Sequence, residues 1–409
     1  MEKKQRFSLT IQIFIALALG ILVGILLQGK GDFTKAYIQP IGTIYINLLK
    51  FMVVPIVLFS IIDGTISLGD IRRVGSIGWK TFVYYMTTTA IAVVIGIVFA
   101  TLFKGFFPLL QTAGLKYEAK SANFMEVIVA MFPKNILEPL LKADMLPLIL
   151  MALLIGVGIL LSGEDGKRVG KGVKSIYTVV MKMMEIIIRL TPIGVFCLMT
   201  NVIAINGATI VSSLGIVLGV AYLGYFTHIV IVYGLSVHLF AKISLMKFLR
   251  GMMPAMTTAF TTSSSNATLP LTIQCSNDLG ADPSVSSFVL PLGATINMDG
   301  TAIYMGVNCL FIAACYGVNL TIPQLISVVL TAVLASIGTA GVSGAGMIML
   351  AMVLTSVNLP VEGIALIAGI DRLFDMGRTT LNITGDATAA LAVSKWDRAA
   401  KAKKAKKAN

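Results

Sequence analysis

The sequence predicts an all-α, polytopic membrane protein. Of its 409 residues, 56% are hydrophobic and only 12% are charged, about half the charged share of an average soluble domain. The mean hydropathy is +0.89, and long apolar runs recur from Phe7 to Val393. A transmembrane β-barrel would instead show short alternating strands. These observations exclude a soluble globule, a disordered chain and a protein with a single membrane anchor.

The apolar runs form nine windows that are candidate membrane crossings. They cover residues 8–28, 42–62, 81–103, 124–161, 176–204, 207–240, 283–316, 322–359 and 362–394. The first window follows a basic N-terminus but has no small-residue cleavage site, so we expect a retained helix rather than a signal peptide. Counting the windows as crossings assigns the loops between them to alternate sides of the membrane.

The basic residues are concentrated on one of these sides. Of the 32 Lys and Arg residues, 20 fall on one side and five on the other. Positive loops face the cytoplasm, so we expect both termini to be cytoplasmic and residues 396–409 to form a basic cytoplasmic tail. The short loops and compact termini indicate the plasma (inner) membrane of a prokaryote. This distribution, rather than a nucleic-acid partner, accounts for the net charge of +13.

Nine crossings would leave the basic tail outside, so one window must enter and leave on the same side. Window 322–359 has four glycines between Ile337 and Gly346. Broken backbone at membrane depth is tolerated only where protein or a water-filled cavity surrounds it. We therefore predict two half-helices that form a re-entrant hairpin opening from outside. A single kinked, glycine-rich helix is the alternative.

A second break lies between Lys247 and Cys275. The hydroxyl-rich run 261–268 has apolar flanks, and both of its ends fall on the cytoplasmic side. This arrangement predicts a second hairpin that enters from inside, and a soluble serine-rich loop is the alternative. A pair of opposed broken hairpins indicates a transporter-type binding site near the membrane midplane.

A third break interrupts window 283–316 at the sequence Asn297-Met298-Asp299-Gly300. These residues are typical of a turn, yet apolar residues continue on both sides. Unwound carbonyls together with Asp and Asn oxygens provide the ligands that a dehydrated sodium ion needs. A short loop between two half-length spans is the alternative.

The last window carries a stripe of polar residues. Asp371, Asp375, Arg378, Asn382 and Asp386 are spaced by three or four residues. On a helix they fall within an arc of about 80° and over about 22 Å of depth. Each charge at a membrane helix centre costs at least about 2.5 kcal/mol, and such residues usually mark a functional site. A purely structural Asp–Arg network is the alternative.

The chemistry of these side chains indicates a ligand. Arg378 offers a planar fork of donors to a carboxylate, and Asp375 can accept an ammonium group. Asn382 and Thr301 can hydrogen-bond the remaining groups, and helix N-termini at the hairpin tips favour a second carboxylate. A zwitterion with an additional carboxylate, which is an acidic amino acid, fits this set. Two acids remain as cation ligands: Asp299 and Asp386.

Four segments resemble the signature regions of the glutamate transporter family, the dicarboxylate/amino acid:cation symporters, and in particular the prokaryotic sodium-coupled aspartate/glutamate transporters. They read TTSSSNATLP, PLGATINMDGTA, LASIGTAGVSGAG and DRLFDMGRTTLNITGD, and the resemblance covers almost the whole chain. It implies eight transmembrane helices plus two opposed re-entrant helical hairpins, a homotrimer, an elevator-type transport mechanism and no enzymatic activity.

The resemblance also implies a division of the chain. Residues 7–78 would hold scaffold helices 1 and 2, residues 79–108 helix 3 of the transport unit, and residues 109–205 scaffold helices 4 and 5. Residues 206–395 would hold the rest of the transport unit: helix 6, the first hairpin, helix 7, the second hairpin and helix 8. The transport unit would carry the substrate across the membrane against a fixed scaffold.

Matching the signature regions residue by residue implies a set of ligands. The substrate ligands would be Arg378, Asp375, Thr301, Asn382, Thr379, Gly346 and backbone around Ser264 and Val342. One sodium site would use Asp386, Asn382 and carbonyls at Gly293 and Asn297. A second would use carbonyls at Thr295, Ser336, Ile337 and Thr339. A third would use Asn297, Asp299, Tyr85, Thr88 and Thr89.

The resemblance further implies what is carried. Arg378 is similar to the family's selector for an acidic side chain, and Asp375 to the residue that binds an ammonium group. Together they imply symport of L-aspartate or L-glutamate, and Asp386 favours sodium over protons. Proton-coupled carriers and carriers of neutral amino acids or dicarboxylates are the alternatives. Three positions depart from the family pattern and bear on gating: Thr262 and Met376, where relatives carry Arg, and Ser343, where many carry Pro.

Two unrelated classes fit the sequence less well. An intramembrane aspartyl protease also buries two Asp, but Thr384-Gly385-Asp386 matches only half of its Gly-x-Gly-Asp motif, and opposed hairpins have no purpose there. An ion channel can use re-entrant loops, but its flux would show neither saturation nor sodium dependence. His228 and His238 are interpreted as packing or interface residues.

Overall fold

The computed structural model describes residues 9–74, 76–109, 129, 132–142, 145–207, 209–337 and 345–408. This part of the chain is helical and contains no strand, in agreement with the predicted all-α class. The longer helices are α1 (Leu9–Leu26), α2 (Gln39–Val74), α3 (Ser76–Leu102), α4 (Met145–Leu161), α5 (Gly163–Arg189), α6 (Thr191–Asn206), α7 (Thr209–Thr227), α8 (Leu245–Thr262), α9 (Ser265–Asp278), α10 (Pro283–Ile296), α11 (Asp299–Cys315), α12 (Ile322–Ser336), α13 (Ala345–Ser356) and α14 (Asp371–Ala408).

Several helical stretches are apolar enough to cross a membrane. Within the described ranges, three are also long enough on their own: Ile77–Leu102, Val211–Ala241 and Pro283–Cys315. α5 and α6 form a fourth candidate that is bent by 50°, because Pro192 stands in the first turn of α6 and has no N–H to continue α5. Other apolar helices, such as Ile322–Ser336, have fewer than 18 residues, so the arrangement of eight spans stays a prediction.

The window predicted at 207–240 contains irregular helical turns. The helix α7 continues through widened turns at His228–Tyr233 and Val237–Ala241. Widened turns of this kind shift side chains out of the regular helical register and are frequent at functional sites. Lys242, with a φ of 57°, ends this segment.

Both predicted hairpins correspond to pairs of helices in contact. α8 and α9 pack against each other and are joined at Ser263, whose φ of 51° is left-handed. Ser264 then caps α9, because its Oγ accepts a hydrogen bond from Ala267 N at 3.3 Å. α12 and α13 also contact each other, but residues 338–344 at the predicted tip lie outside the described residues. The side from which each pair enters a membrane stays a prediction.

The predicted break at Asn297 separates α10 from α11. α10 ends at Ile296, and Asn297 and Met298 have non-helical backbone angles. Of the most apolar stretch within Pro283–Cys315, 94% is buried inside the protein. The polar break is therefore surrounded by other helices rather than by lipid, which is the condition for irregular backbone at membrane depth.

The helices pack into two groups. α1, α2, α4, α5 and α6 contact one another, whereas α3 and the helices from α7 onward pack mainly around α11 and α14. α14 continues without a break to Ala408, so residues 396–408 of the predicted tail extend the last helix. Ala and Lys, which dominate this extension, are strong helix formers.

Candidate functional site

The polar stripe predicted from the sequence lies on α14, in the interior of the protein. Asp371, Asp375, Arg378, Asn382 and Asp386 are each at most 5% exposed. Their spacing places them on one face of the helix, and α8, α10 and α11 pack against α14. The stripe is therefore surrounded by the first hairpin and the broken α10–α11 segment.

Arg378 lies between two carboxylates. Its Nε donates to Asp375 Oδ1 at 3.0 Å, and its Nη1 donates to Asp371 Oδ1 at 3.2 Å. Thr379 Oγ1 donates to the same oxygen of Asp375 at 3.4 Å. Charge-assisted bonds of this kind are strong in a buried site, so the guanidinium is held in a defined orientation.

Two further contacts shape the space around this guanidinium. Arg378 Cζ lies 4.6 Å from the centroid of the Tyr304 ring, which is a cation–π distance. The backbone of Gly346, at the start of α13, is so close that a Cβ there would overlap the guanidinium. Arg378 Nη2 is buried and has no hydrogen-bond partner among the described residues, so a donor is left for a ligand.

Arg372 connects the first hairpin to the stripe. Its Nη2 donates to the carbonyl oxygen of Thr262, at the tip of α8, at 3.3 Å. Its Nη1 lies 3.6 Å from Asp375 Oδ2, so the two oxygens of Asp375 face two different guanidinium groups. This contact supplies a cation at the hairpin tip although positions 262 and 376 hold Thr and Met.

The break between α10 and α11 lies against the middle of α14. Asn382 Oδ1 accepts a hydrogen bond from Gly300 N at 2.7 Å, and Asn382 Nδ2 lies 3.5 Å from Thr301 Oγ1. A Cβ at Gly300 would overlap the backbone of Arg378, so only glycine allows α11 to approach α14 this closely. The structure therefore brings Thr301 and Asn382 together beside Arg378.

A first cluster of oxygen atoms surrounds Asp386. Asn297 Nδ2 donates to Asp386 Oδ1 and to the carbonyl oxygen of Asn382, both at 2.9 Å. The Asp386 carboxylate also lies against the backbone of Gly293, where a Cβ would overlap it. Asn297 Oδ1 is buried and has no partner in the described part of the chain. The four residues of the first predicted sodium site are thus adjacent.

A second cluster surrounds Asp299 at the start of α11. Thr88 and Thr89 of α3 donate to Asp299 Oδ1 at 3.3 and 2.7 Å. Tyr233 donates to Oδ2 at 2.7 Å, and His228 Nε2 lies 3.2 Å from the same oxygen. All five side chains are buried. This arrangement can hold a carboxylate ready for a cation, or share a proton between Asp299 and His228.

The remaining predicted ligands make other contacts. Tyr85 OH donates to the carbonyl oxygen of Val289 at 3.0 Å. The hydroxyls of Thr295 and Ser336 each donate to a carbonyl three residues earlier in their own helix, as is common for hydroxyls on helices. Ile337 is buried directly after α12. Two predicted ligands lie outside the described residues: Thr339 and Val342.

Sequence reasoning missed three residues of the site. His228 and Tyr233 contact Asp299, and Tyr304 contacts Arg378. His228 therefore does more than the packing expected of it, and its position inside an apolar segment was an available signal, since intramembrane ionisable residues are usually functional. The two tyrosines gave no such signal, because tyrosine is common in apolar helices.

The whole region has more acidic than basic groups. Four buried carboxylates lie here, Asp299, Asp371, Asp375 and Asp386, together with two guanidinium groups, Arg372 and Arg378. Two formal negative charges are therefore in excess when His228 is neutral. Because charge interactions are strong in a buried environment, such a region favours cations. Within the described residues, no group of three or more His, Cys, Asp or Glu is placed to hold a metal ion.

Comparisons with known proteins give a consistent result. A family model described as "Sodium:dicarboxylate symporter family" matches residues 9–396. The chain is 33% identical to the "Proton/sodium-glutamate symport protein" of Bacillus subtilis (strain 168), over 97% of this chain and 94% of the relative. It is 34% identical to the "Proton/glutamate-aspartate symporter" of Escherichia coli (strain K12), over 98% and 96%. It is 31% identical to the "C4-dicarboxylate transport protein" of Bacillus subtilis (strain 168), over 95% and 93%.

Proposed function

Because the chain belongs to the sodium:dicarboxylate symporter family, we propose that it is a secondary active transporter that carries L-aspartate or L-glutamate together with sodium ions. Members of this family are symporters, so the chain is a membrane transporter and not an enzyme. The observation that carries the proposal is the pair formed by Arg378 and Asp375, two opposite charges 3.0 Å apart in the interior.

An acidic amino acid can replace the contact that these two residues make with each other. Its side-chain carboxylate would pair with the fork of Arg378, and its ammonium group would pair with Asp375. One buried ion pair is thereby exchanged for two, so no charge is left without a partner. The second carboxylate of the substrate would lie near Ser264, at the N-terminus of α9, because the first turn of a helix favours an anion.

Asp375 favours an amino acid over a dicarboxylate. The names of the relatives divide between glutamate or aspartate transport and C4-dicarboxylate transport. A C4-dicarboxylate has no ammonium group, so it would bring two negative charges next to the carboxylate of Asp375. Like charges at short distance in a buried site are unfavourable, and the zwitterion avoids them.

We assign the co-transported sodium ions to the clusters around Asp386 and Asp299. Both clusters combine a carboxylate with neutral oxygen ligands, which suits a hard cation. The unpartnered Asn297 Oδ1 supports the first assignment, because buried polar atoms normally have a partner. A sodium ion bound between Asn297 and Asp386 would supply that partner.

A short chain of hydrogen bonds connects the first cation cluster to the substrate ligands. Asn297 bonds to both Asp386 and the carbonyl of Asn382, and the Asn382 side chain holds the first turn of α11 at Gly300. A cation at Asp386 therefore stabilises the backbone beside Thr301 before the substrate binds. Partly loaded states would leave buried carboxylates uncompensated and would cross the membrane poorly.

Proton coupling is the second candidate, and one contact favours it. His228 Nε2 lies 3.2 Å from Asp299 Oδ2, so the imidazole and the carboxylate are close enough to hold one proton between them. Some relatives are named as proton/glutamate-aspartate symporters. In this version Asp299 and His228 carry a proton in place of one sodium ion, and the substrate site is unchanged.

We further propose an elevator movement within a homotrimer, in a plasma membrane with both termini cytoplasmic. Residues 7–78 and 109–205 would form the scaffold, and residues 79–108 and 206–395 the transport unit. The packing of α1, α2, α4, α5 and α6 against one another supports this division, because α3 and the helices from α7 onward surround the site instead.

The stability of the purified protein in the presence of ligands tests the substrate class. A bound ligand stabilises the folded state by about RT ln(1 + [L]/Kd), so the melting temperature reports binding. We expect L-aspartate or L-glutamate to raise it in sodium chloride but not in choline chloride, and succinate and L-serine to have little effect. Stabilisation by succinate alone would contradict the role of Asp375, and stabilisation by serine alone would contradict that of Arg378.

A further inference from the structure

A groove on the outer surface contains both tryptophans of the chain, Trp79 and Trp396. It lies between the first half of α3, residues 231–240 and the later part of α14, and its volume is about 590 Å³. This size is within the range of small-molecule and cofactor pockets. Its walls consist mainly of exposed apolar side chains, such as Val83, Ile91 and Leu235.

The charged and aromatic groups of the groove are concentrated at one end. Trp79 and Lys80 lie near the start of α3. Ile91, at the other end of the groove, is about 18 Å further along the helix than Trp79. Trp396 packs against Phe240 at this same end, with ring centroids 4.8 Å apart. Its neighbour Lys395 donates from Nζ to the carbonyl oxygen of Leu239 at 3.0 Å. No Asp or Glu is among the described residues that line the groove.

We propose that this groove binds one phospholipid with an anionic headgroup. Tryptophan rings are enriched at the headgroup level of a bilayer, and lysines near the membrane surface attract anionic lipids. The end that holds Trp79, Trp396, Lys80 and Lys395 would therefore receive the headgroup. The apolar walls that continue toward Ile91 would receive an acyl chain.

The wall of this groove also touches the Asp299 cluster. Thr88 lines the groove and lies 3.3 Å from Asp299 Oδ1. Tyr84 and Ser236, which also line it, share a hydrogen bond of 2.9 Å between α3 and the facing segment. A lipid in the groove therefore contacts the elements that hold Asp299 and is expected to change the sodium dependence of uptake. This effect rests on the proposed function, whereas binding of the lipid does not.

Tryptophan fluorescence tests the proposal directly, because both tryptophans line the groove. The full-length protein is reconstituted in phosphatidylcholine vesicles with increasing fractions of brominated phosphatidylglycerol or, separately, of brominated phosphatidylcholine. We expect quenching by the anionic lipid to saturate at a low mole fraction, with a preference of about 30-fold over the zwitterionic lipid, as two lysines would provide. Equal quenching by the two lipids would mean ordinary contact with the surrounding bilayer and would overturn the proposal.

Two sets of variants locate the binding. Val83→Phe fills the groove, and Val94→Phe is its control, because Val94 has a similar exposure (48% against 42%) and lies about three turns further along α3 on the same face. We expect Val83→Phe to abolish the lipid preference and Val94→Phe to keep it. An unchanged preference in Val83→Phe would contradict the proposal. A change in the number of subunits per oligomer in Val83→Phe would also contradict the proposal, because the groove would then be an interface between protein chains.

The lysines are tested separately, in case the bulky variant does not fold. Lys80→Gln combined with Lys395→Gln removes both positive charges, and we expect the preference for phosphatidylglycerol to fall to about one. Lys171→Gln, at an exposed position on α5, should leave the preference unchanged. Retention of the preference in the double variant would show that these lysines do not bind the headgroup.

Discussion

At the scale of single residues, Arg378 and Asp375 show what a buried ion pair contributes. They are 2% and 3% exposed, and at such burial the cost of desolvation offsets most of the mutual attraction. The pair therefore adds little to stability, but it holds a fork of donors and an acceptor in fixed positions. Substitution of Arg378 or Asp375 is therefore expected to impair ligand binding more than stability, because a charged ligand would contact these two residues in place of their contact with each other.

Replacing Arg378 tests its assignment as the ligand of the substrate side chain. Arg378→Cys removes the donor fork, and we expect uptake of L-aspartate and L-glutamate to fall by about 100-fold or more, since each hydrogen bond to a charged group contributes about 1.5–3 kcal/mol. A small neutral amino acid such as L-serine should become a better competitor. Arg168→Cys, at an exposed position on α5, is the control. Intact uptake of acidic amino acids by Arg378→Cys would show that this arginine does not select the substrate.

The two histidines of the chain provide a matched pair for the Asp299 cluster. His228 is buried against Asp299, whereas His238 is exposed. We expect His228→Gln to weaken the apparent sodium affinity by about 10-fold or more, because partners of ligating groups typically contribute this much. His238→Gln should have no effect. The measurement is aspartate uptake as a function of sodium concentration, and equal sodium dependence in both variants would remove His228 from the site.

At the scale of helices, close approach of backbones builds the site. α11 reaches α14 only because Gly300 has no side chain, and the contact places the first turn of α11 beside Arg378 and Asn382. The first hairpin reaches the same region through the contact between Arg372 and the carbonyl of Thr262. These contacts join elements that are far apart in the sequence. The side chains of the site therefore reach their positions only when α8, α11 and α14 are packed together.

Two glycine substitutions distinguish packing from helix propensity. Gly300→Ala places a Cβ into the backbone of Arg378, and overpacking of this kind costs about 1–3 kcal/mol. We expect a lower melting temperature and a loss of stabilisation by aspartate. Gly172→Ala, in α5 with nothing within 4 Å of the added Cβ, should leave the protein unchanged or stabilise it by about 0.5–1 kcal/mol. A melting temperature of Gly300→Ala at or above that of the unchanged protein would contradict the close contact.

Sequence patterns predicted much of this arrangement, for identifiable reasons. The stripe on α14 was visible because charged residues at a helical spacing stand out in an apolar segment, and Asn297-Met298-Asp299-Gly300 was visible because turn residues do. The pairing of Thr88 and Thr89 with Asp299 came only from the family resemblance, because hydroxyls on a helix usually bond to their own backbone. The contact between Arg372 and Thr262 could not be predicted, because it depends on where the tip of the first hairpin lies relative to α14. A local sequence pattern contains no information on that position.

At the scale of the whole molecule, the chain divides into helices that surround the site and helices that do not. The first set holds the four buried carboxylates and both guanidinium groups, and α1, α2, α4, α5 and α6 form the second. A site that is built within one set can move as a unit without breaking its own contacts. An elevator mechanism requires such a unit. It predicts that the helices that surround the site slide past α1, α2, α4, α5 and α6 where the two sets meet.

Cross-linking across that boundary tests the movement. An added Cβ at Gly369 lies 2.7 Å from Leu17 Cδ1, so Leu17→Cys with Gly369→Cys gives a pair that mercury can bridge between the two sets. We expect the bridge to abolish uptake but to leave binding of aspartate intact. Gly251→Cys with Leu279→Cys is a control of similar geometry. An added Cβ at Gly251 lies 2.6 Å from Leu279 Cδ2, and both residues belong to the first hairpin. Full uptake after bridging of the first pair would exclude sliding at this contact.

Sodium-coupled transport of an acidic amino acid is tested by uptake of radiolabelled L-aspartate and L-glutamate into proteoliposomes that contain the purified protein. Uptake under an inward sodium gradient is compared with uptake under an inward proton gradient without sodium. We predict saturable uptake that requires sodium and is lost in Asp386→Asn. Uptake that follows the proton gradient without sodium would contradict the sodium assignments of Asp386 and Asp299, and absence of uptake under either gradient would contradict the assignment of an acidic amino acid to Arg378 and Asp375.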